Sequence, residues 1–438
     1  MPNKKNYTSA FIIVTLLFFL WGFITVLVDS LIPRLKDVFE LTYFEAGLVQ
    51  FAFFAAYFVF SLPAGWLLSR IGYQKGVVLG LTIMALGCLL FYPAASERIF
   101  GVFLTGYFFL AAGITVLQVA ANPYVAVLGS EDGASSRLNL SQAFNSLGTA
   151  IAPLVGASFL LSDTIMSSET IAALSETEQG RYYAAEATAV QTPFLVLAGC
   201  IGVLALAFIF IKLPKVLQKS PKQGYVKLLK NSTVLMGVTG IFLYVGAEVA
   251  IGSYLVNYFL DMNLANIIIT NQAMNSFATT ILGKDLATID GKAIVGAFVF
   301  LYWSGAMVGR FVGAFLTRII KPGLVLAIFA FIAIFLLLIS MSTSGLVAMW
   351  SILAVGLFNS IMFPTIFTLT IEGLGDLKPQ ASGLLCMAIV GGAIIPPLYG
   401  LFTDFTDFKT ALFLLVGCYT FILYFGYKKQ RTKQLHTT

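Results

Sequence analysis

The stretch PKVLQKSPKQGYVKLLKN, residues 214–231, decides how the chain is read. It carries five lysines, two prolines and no acid. Six apolar stretches precede it, near 10–33, 44–69, 75–95, 99–127, 139–162 and 192–213. Six more follow, near 233–260, 292–317, 323–342, 345–371, 381–403 and 408–427. A bilayer core about 30 Å thick takes roughly 20 apolar residues of helix, so each stretch is long enough to span it. The runs are unbroken, whereas barrel strands would alternate over about ten residues. The expectation is an all-α membrane protein of twelve transmembrane helices in two six-helix bundles, residues 1–213 and 232–438, joined by a cytoplasmic linker at 214–231.

Composition agrees. Of 438 residues, 59% are hydrophobic, 14% aromatic and 11% charged, against about 25% charged in an ordinary soluble domain. The mean hydropathy is +0.91. With both termini inside, 18 basic residues fall on the inner side and 7 on the outer, the asymmetry of the positive-inside rule. The basic pI of about 9.0 therefore reports orientation and not nucleic-acid binding. The first run follows Lys4 and Lys5 but is too long for a signal peptide and lacks a small-residue cleavage site, so it reads as a retained helix. Cys88, Cys200, Cys386 and Cys418 stand singly in apolar runs and imply neither a metal site nor a disulfide framework.

The halves echo one another. GWLLSR (65–70) answers GAFLTR (313–318), Pro123 answers Pro364, and GTAIAP (148–153) answers GGAIIP (391–396). The order and similar offsets fit a duplicated six-helix unit, and repeats of this kind bind substrate near the membrane midplane. Two long outer segments, 163–190 and 261–291, read as solvated caps, with gating or substrate capture as the competing reading.

Ionisable groups at membrane depth cost at least about 2.5–3.5 kcal/mol and need a partner or a purpose. Asp29 lies in the first span, with Thr25 and Trp21 behind it at four-residue steps on one helical face. Glu248 lies in the seventh, one turn after Tyr244. Amides form a second group: Gln118 and Asn122 in the fourth span, Gln142 and Asn145 in the fifth, Asn257 in the seventh and Asn359 in the tenth. A carboxamide donates and accepts, which suits the hydroxyls of a neutral polyol; rings such as Trp21 and Phe363 suit the apolar face of a sugar. The competing reading is that the amides only tie helices together. A carboxylate in low dielectric can take up and release a proton near neutral pH, which makes Asp29 and Glu248 the candidates for cation coupling; with amide and backbone oxygens Asp29 could also hold Na+. Arg310 reads as an interdomain latch, and Arg70 and Arg318 close the repeated GxxLxR segments as gating or structural cations.

The motifs LFFLWGFITVLVDSLIP (17–33), LTYFEAGLVQFAFFAAYF (41–58), AANPYVAVLG (120–129), RLNLSQAFNSLG (137–148) and NSIMFPTIF (359–367) resemble the fucose–proton symporter family of the major facilitator superfamily. YVGAEVAIGSYLV (244–256) and AIVGGAIIPP (388–397) look more like its glucose/galactose transporter branch. The resemblance implies the twelve-helix facilitator fold and a central sugar site driven by H+ or Na+. It places proton coupling on Asp29 and sugar contacts on Gln142 and Asn145. The family's fourth-span acid is Gln118 here, Glu248 stands where an uncharged amide is usual, and Ser69 replaces the usual acid after the second span.

The function expected is secondary active import of a hexose, glucose/galactose or fucose-like, by H+ or Na+ symport with alternating access. The alternative is a facilitator-type exporter or a carrier of another small polar solute. No HExxH, GxSxG or P-loop pattern is present and the only histidine, His436, lies in the tail, so an enzyme is not expected. Nor are a resident metal or any cofactor beyond the coupling ion, the metal alternative being Na+ near Asp29. The partners expected are a monosaccharide and the lipid bilayer, with no nucleic acid, for a monomer in a bacterial inner membrane.

Overall fold

The computed structural model describes residues 7–38, 43–160, 170, 173–216 and 224–435, with side chains at all of these except 29–38, 43–44, 46–47, 154–160, 186–187, 189–190 and 431–435. Among the described residues all regular structure is helical, and 11 spans are long and apolar enough to cross a membrane. The stretch predicted near 139–162 is helical too, but is not one of the 11.

The chain forms two compact units. Unit 1 takes Met1–Gly129, Phe144–Lys227 and Gly373–Met387; unit 2 takes Ser130–Ala143, Leu228–Glu372 and Ala388–Thr438. Each unit thus includes one short segment from the opposite half of the sequence.

Unit 1 contains α1 (Thr8–Val38), α2 (Tyr43–Ile71), α3 (Tyr73–Glu97), α4 (Phe100–Val127), most of α5 (Ala134–Leu160) and α6 (Glu176–Phe210). The short α7 (Gly224–Leu229) belongs to it as far as Lys227, and α15 (Lys378–Met387) joins it. Small residues let backbones touch where lipid offers no hydrophobic drive to association. A Cβ on Gly80 would sit 2.8 Å from the Leu117 amide, so α3 and α4 meet backbone to backbone. The Phe91 and Phe194 rings stack at 3.8 Å between α3 and α6. Where α2 meets α15, a Cβ on Gly65 would lie 2.8 Å from the Pro379 carbonyl and 3.2 Å from the Gly383 Cα. The Tyr225 hydroxyl of α7 enters the same crossing and donates to the Leu62 carbonyl at 2.5 Å.

Unit 2 contains the start of α5 and α8 (Ser232–Asp261), α9 (Leu264–Thr270), α10 (Gln272–Leu282), α11 (Gly291–Ile319), α12 (Pro322–Ser342), α13 (Gly345–Asn359), α14 (Met362–Ile371), α16 (Gly391–Phe405) and α17 (Phe408–Leu435). The start of α5 is held by polar bonds: Ser135 and Thr368 hydroxyls lie 2.6 Å apart, Ser136 donates to the Ala314 carbonyl at 2.7 Å, and Asn139 Nδ2 reaches Thr365 Oγ1 at 3.2 Å.

Both outer segments expected as caps contain helix. Ser175 and Glu178 form a capping box that starts α6 at Glu176, well before the apolar run. Most of 161–172 lies outside the described residues. In 261–291, Asn271 accepts from the Met274 amide at 3.1 Å and starts α10, while Asp285 accepts from the Ala287 amide at 3.1 Å.

The predicted span 345–371 is two pieces, α13 and α14. In a continuous helix the Ser360 carbonyl would take the amide of residue 364. Residue 364 is proline and has none, so the ladder is interrupted and resumes with Thr365 N donating to the Ile361 carbonyl at 3.0 Å. The span 381–403 is likewise divided, by a 3₁₀ turn at Ala388–Val390.

Candidate functional site

The break between α13 and α14 is the centre of a polar cluster inside unit 2. Arg310 on α11 donates Nε to the freed Ser360 carbonyl at 3.2 Å. Its Nη2 lies 3.6 Å from Glu248 Oε1 on α8, and the two side chains are 16% and 13% exposed. That separation is an ion pair but too long for a direct hydrogen bond. Asn359, the last residue of α13, donates Nδ2 to the Tyr302 hydroxyl at 2.7 Å and to Tyr419 at 3.4 Å. The Tyr302 hydroxyl donates to the Glu248 backbone carbonyl at 3.4 Å.

Three buried polar atoms here lack hydrogen-bond partners: Glu248 Oε1, Tyr244 Oη and Asn359 Oδ1. Leaving such an atom unsatisfied costs about 1–3 kcal/mol. Three together, beside an ion pair without a direct hydrogen bond, mark a polar cluster whose hydrogen-bonding capacity is not used up within the protein. Four elements hold it: α8, α11, the α13–α14 break and, through Tyr419, α17.

Unit 1 has a second polar set. Gln118 donates Nε2 to the Tyr57 hydroxyl at 2.5 Å. Asn122, one turn on, is fully buried and interacts with Cys386 of α15. Asn145 donates Nδ2 to the Phe18 carbonyl at 2.9 Å, next to Gly22, where a Cβ would collide with Asn145. Trp21 is 6% exposed, its ring 5.3 Å from that of Phe18. Thr25 donates to the Trp21 carbonyl at 2.9 Å. Asp29 lies in α1, but its side chain is outside the described residues.

The structure therefore brings Glu248, Arg310 and Asn359 together, and Trp21 with Asn145. It assigns Gln142, which is buried, to unit 2 and Asn145 to unit 1. Phe363 packs its ring 5.9 Å from Phe367. Asn257 and Arg318 are exposed. Arg70 sets its guanidinium 3.9 Å over the Trp66 ring. Among the described residues no group of three or more His, Cys, Asp or Glu could hold a metal.

Sequence reading missed Tyr419, Tyr57 and Asn139. Tyr419 sits in an apolar run where one hydroxyl carries no pattern. Asn139, fully buried, could have been found, because an amide four residues after Ser135 inside an apolar helix invites the same question as Gln142.

Comparison with known proteins places the chain. The Major Facilitator Superfamily is matched over residues 10–397. A glucose/galactose transporter of Brucella abortus is 47% identical over 429 residues, covering 97% of this chain and 95% of the relative. An L-fucose-proton symporter of Escherichia coli is 34% identical over 444 residues, covering 98% and 95%. The crystal structure of the E. coli fucose:proton symporter superposes with a TM-score of 0.84 at 32% identity, covering 97% of this chain and 99% of that one. An all-helical, multi-pass chain with this match over nearly its whole length belongs to the Major Facilitator Superfamily.

Proposed function

We propose that this protein imports a hexose by cation symport and alternating access, with glucose or galactose as the first candidates and a fucose-like sugar next. The observation that carries the reading is the cluster around Glu248, Arg310 and Asn359, whose three unsatisfied polar atoms sit at a proline-induced helix break. Broken helices bearing buried polar groups are where facilitator-type carriers bind substrate. The similarity to a glucose/galactose transporter over 97% of the chain supports the choice of sugar.

In this reading Glu248, Arg310 and Asn359 offer both donors and acceptors to sugar hydroxyls, and Tyr244 and Tyr302 add two phenols. Gln118, Asn122, Gln142, Asn145, Asn257, Trp21 and Phe363 remain candidates for the rest of the site. Asp29 carries the coupling ion, H+ as the first choice because of the proton-symporting relatives, Na+ as the second. The protein performs no covalent chemistry, acts as a monomer in a bacterial inner membrane and keeps both termini cytoplasmic. The halves 1–213 and 232–438 rock about the site.

The test is uptake into proteoliposomes of glucose, galactose and fucose, with H+ and Na+ gradients imposed separately. Saturable, gradient-driven accumulation with counterflow is expected for one of them. Absence of counterflow for all three removes the reading. Asp29→Asn should abolish accumulation and keep exchange; normal accumulation by this variant would take Asp29 out of the coupling role.

A further inference from the structure

Away from the transport site, the turn between α2 and α3 opens a cavity of about 420 Å³. Arg70, Lys75 and Lys215 line it, and no Asp or Glu does. Among the described residues none of the three cations is in an ion pair. We propose that this cavity is a seat for a phosphate-bearing anion, with the headgroup of an acidic phospholipid as its first source.

The seat is built, not merely charged. The 25-residue helix α3 starts at Tyr73, and its first turn is uncapped by any side chain, because Gly72 occupies the cap at φ 84°. Gly72, Tyr73, Gln74 and Lys75 all line the cavity, so the positive end of the helix dipole is there. Tyr73 is only 5% exposed and its hydroxyl has no hydrogen-bond partner. Asp376 acts electrostatically on Tyr73 but does not line the cavity. The walls are fixed: Gln74 Nε2 donates to the Phe208 and Ile211 carbonyls at 2.9 and 2.7 Å, and the Tyr124 hydroxyl donates to the Pro214 carbonyl at 3.1 Å.

The level of the cavity selects the source. It lies where two apolar spans end, at Ile71 and Tyr73. Trp66, 42% exposed, holds the Arg70 guanidinium over its ring, and exposed tryptophan marks the lipid–water boundary. Basic pockets between membrane helices at this depth take acidic headgroups.

The test uses the full-length protein in neutral detergent, its thermal midpoint followed against dioleoylphosphatidylglycerol, dioleoylphosphatidylcholine and inorganic phosphate. Phosphatidylglycerol is expected to stabilise the wild type well beyond phosphatidylcholine. Lys75→Gln with Lys215→Gln, both at exposed positions, should leave the unliganded midpoint unchanged and weaken phosphatidylglycerol roughly 25-fold, about fivefold per lysine. Arg70→Lys, at constant charge but without the planar guanidinium held over Trp66, should weaken it severalfold, which diffuse surface attraction would not do. Stabilisation by inorganic phosphate that the lysine variant loses identifies a soluble source for the same seat. No response of the wild type to either anion, or a response undiminished in both variants, overturns the proposal.

Discussion

Arg310 donates its Nε to the Ser360 carbonyl at 3.2 Å, and that carbonyl is free because Pro364, four residues on, has no amide to give it. One proline thus positions a half-buried guanidinium opposite Glu248. The arrangement costs the fold little, since Pro364 lies in the first turn of α14, where a missing amide is not needed.

Pro364→Ala returns an amide that competes for the Ser360 carbonyl. The thermal midpoint should move by no more than a few degrees, while the initial rate of sugar uptake falls about tenfold, a loss of roughly 1.4 kcal/mol at the rate-limiting step. Unchanged uptake would separate the break from function.

Glu248 and Arg310 should behave as a coupled pair. Removing one partner leaves the other charge buried, at a cost of about 3–5 kcal/mol in a dry site and less at their 13% and 16% exposure. Glu248→Gln and Arg310→Gln should each lower the midpoint more than the double variant does. The double variant should recover stability but not sugar binding. Additive losses in denaturation would show that the two do not interact.

The α2–α15 crossing in unit 1 admits no side chain. A Cβ on Gly383 would lie 2.6 Å from the Ser61 carbonyl oxygen and 3.1 Å from the Tyr225 hydroxyl. Gly383→Ala should therefore destabilise more than Tyr225→Phe, which loses one hydrogen bond worth about 1 kcal/mol. Thermal melts of the two variants decide the order.

Asp407, just before α17, accepts from the Thr410 hydroxyl at 2.6 Å and from the amides of Lys409 and Thr410 at 2.8 and 3.0 Å. The Thr410 hydroxyl, then its amide, hold the carboxyl below its usual 3.8. A depressed folded value stabilises above the unfolded pKa and is lost as pH falls through the folded one. Asp407→Ala should cost a fraction of a kcal/mol at pH 7, because the site is solvent-screened. The gap between variant and wild type should close below about pH 4 in melts across pH.

Much of this was legible beforehand. Unbroken apolar length identifies the spans, since lipid demands it of every crossing helix, and the expense of burying charge singles out Asp29 and Glu248; Arg310, expected as an interdomain latch, instead pairs with Glu248 inside unit 2. What escaped prediction was non-local or polar. The apolar stretch near 192–213 matches the span Gln191–Phe210, whereas the S-x-x-E at Ser175–Glu178 starts the helix about four turns earlier, where the residues are too polar to show an apolar face. The division at Asn359–Met362 follows from Pro364, yet a proline within a membrane span often only bends it. Gln142 and Asn145, three apart on α5, looked like one pair, yet they belong to different units; that depends on which surfaces α5 meets, not on its own residues.

The exchange of segments sets an order of events at the ribosome. Unit 1 is incomplete until residues 373–387 have been made, by which time almost all of the 438-residue polypeptide has been translated. The amino-terminal domain therefore waits, partly assembled, for a piece encoded near the end of the gene, and a nascent chain truncated in the linker should mature only when the missing half is supplied in trans.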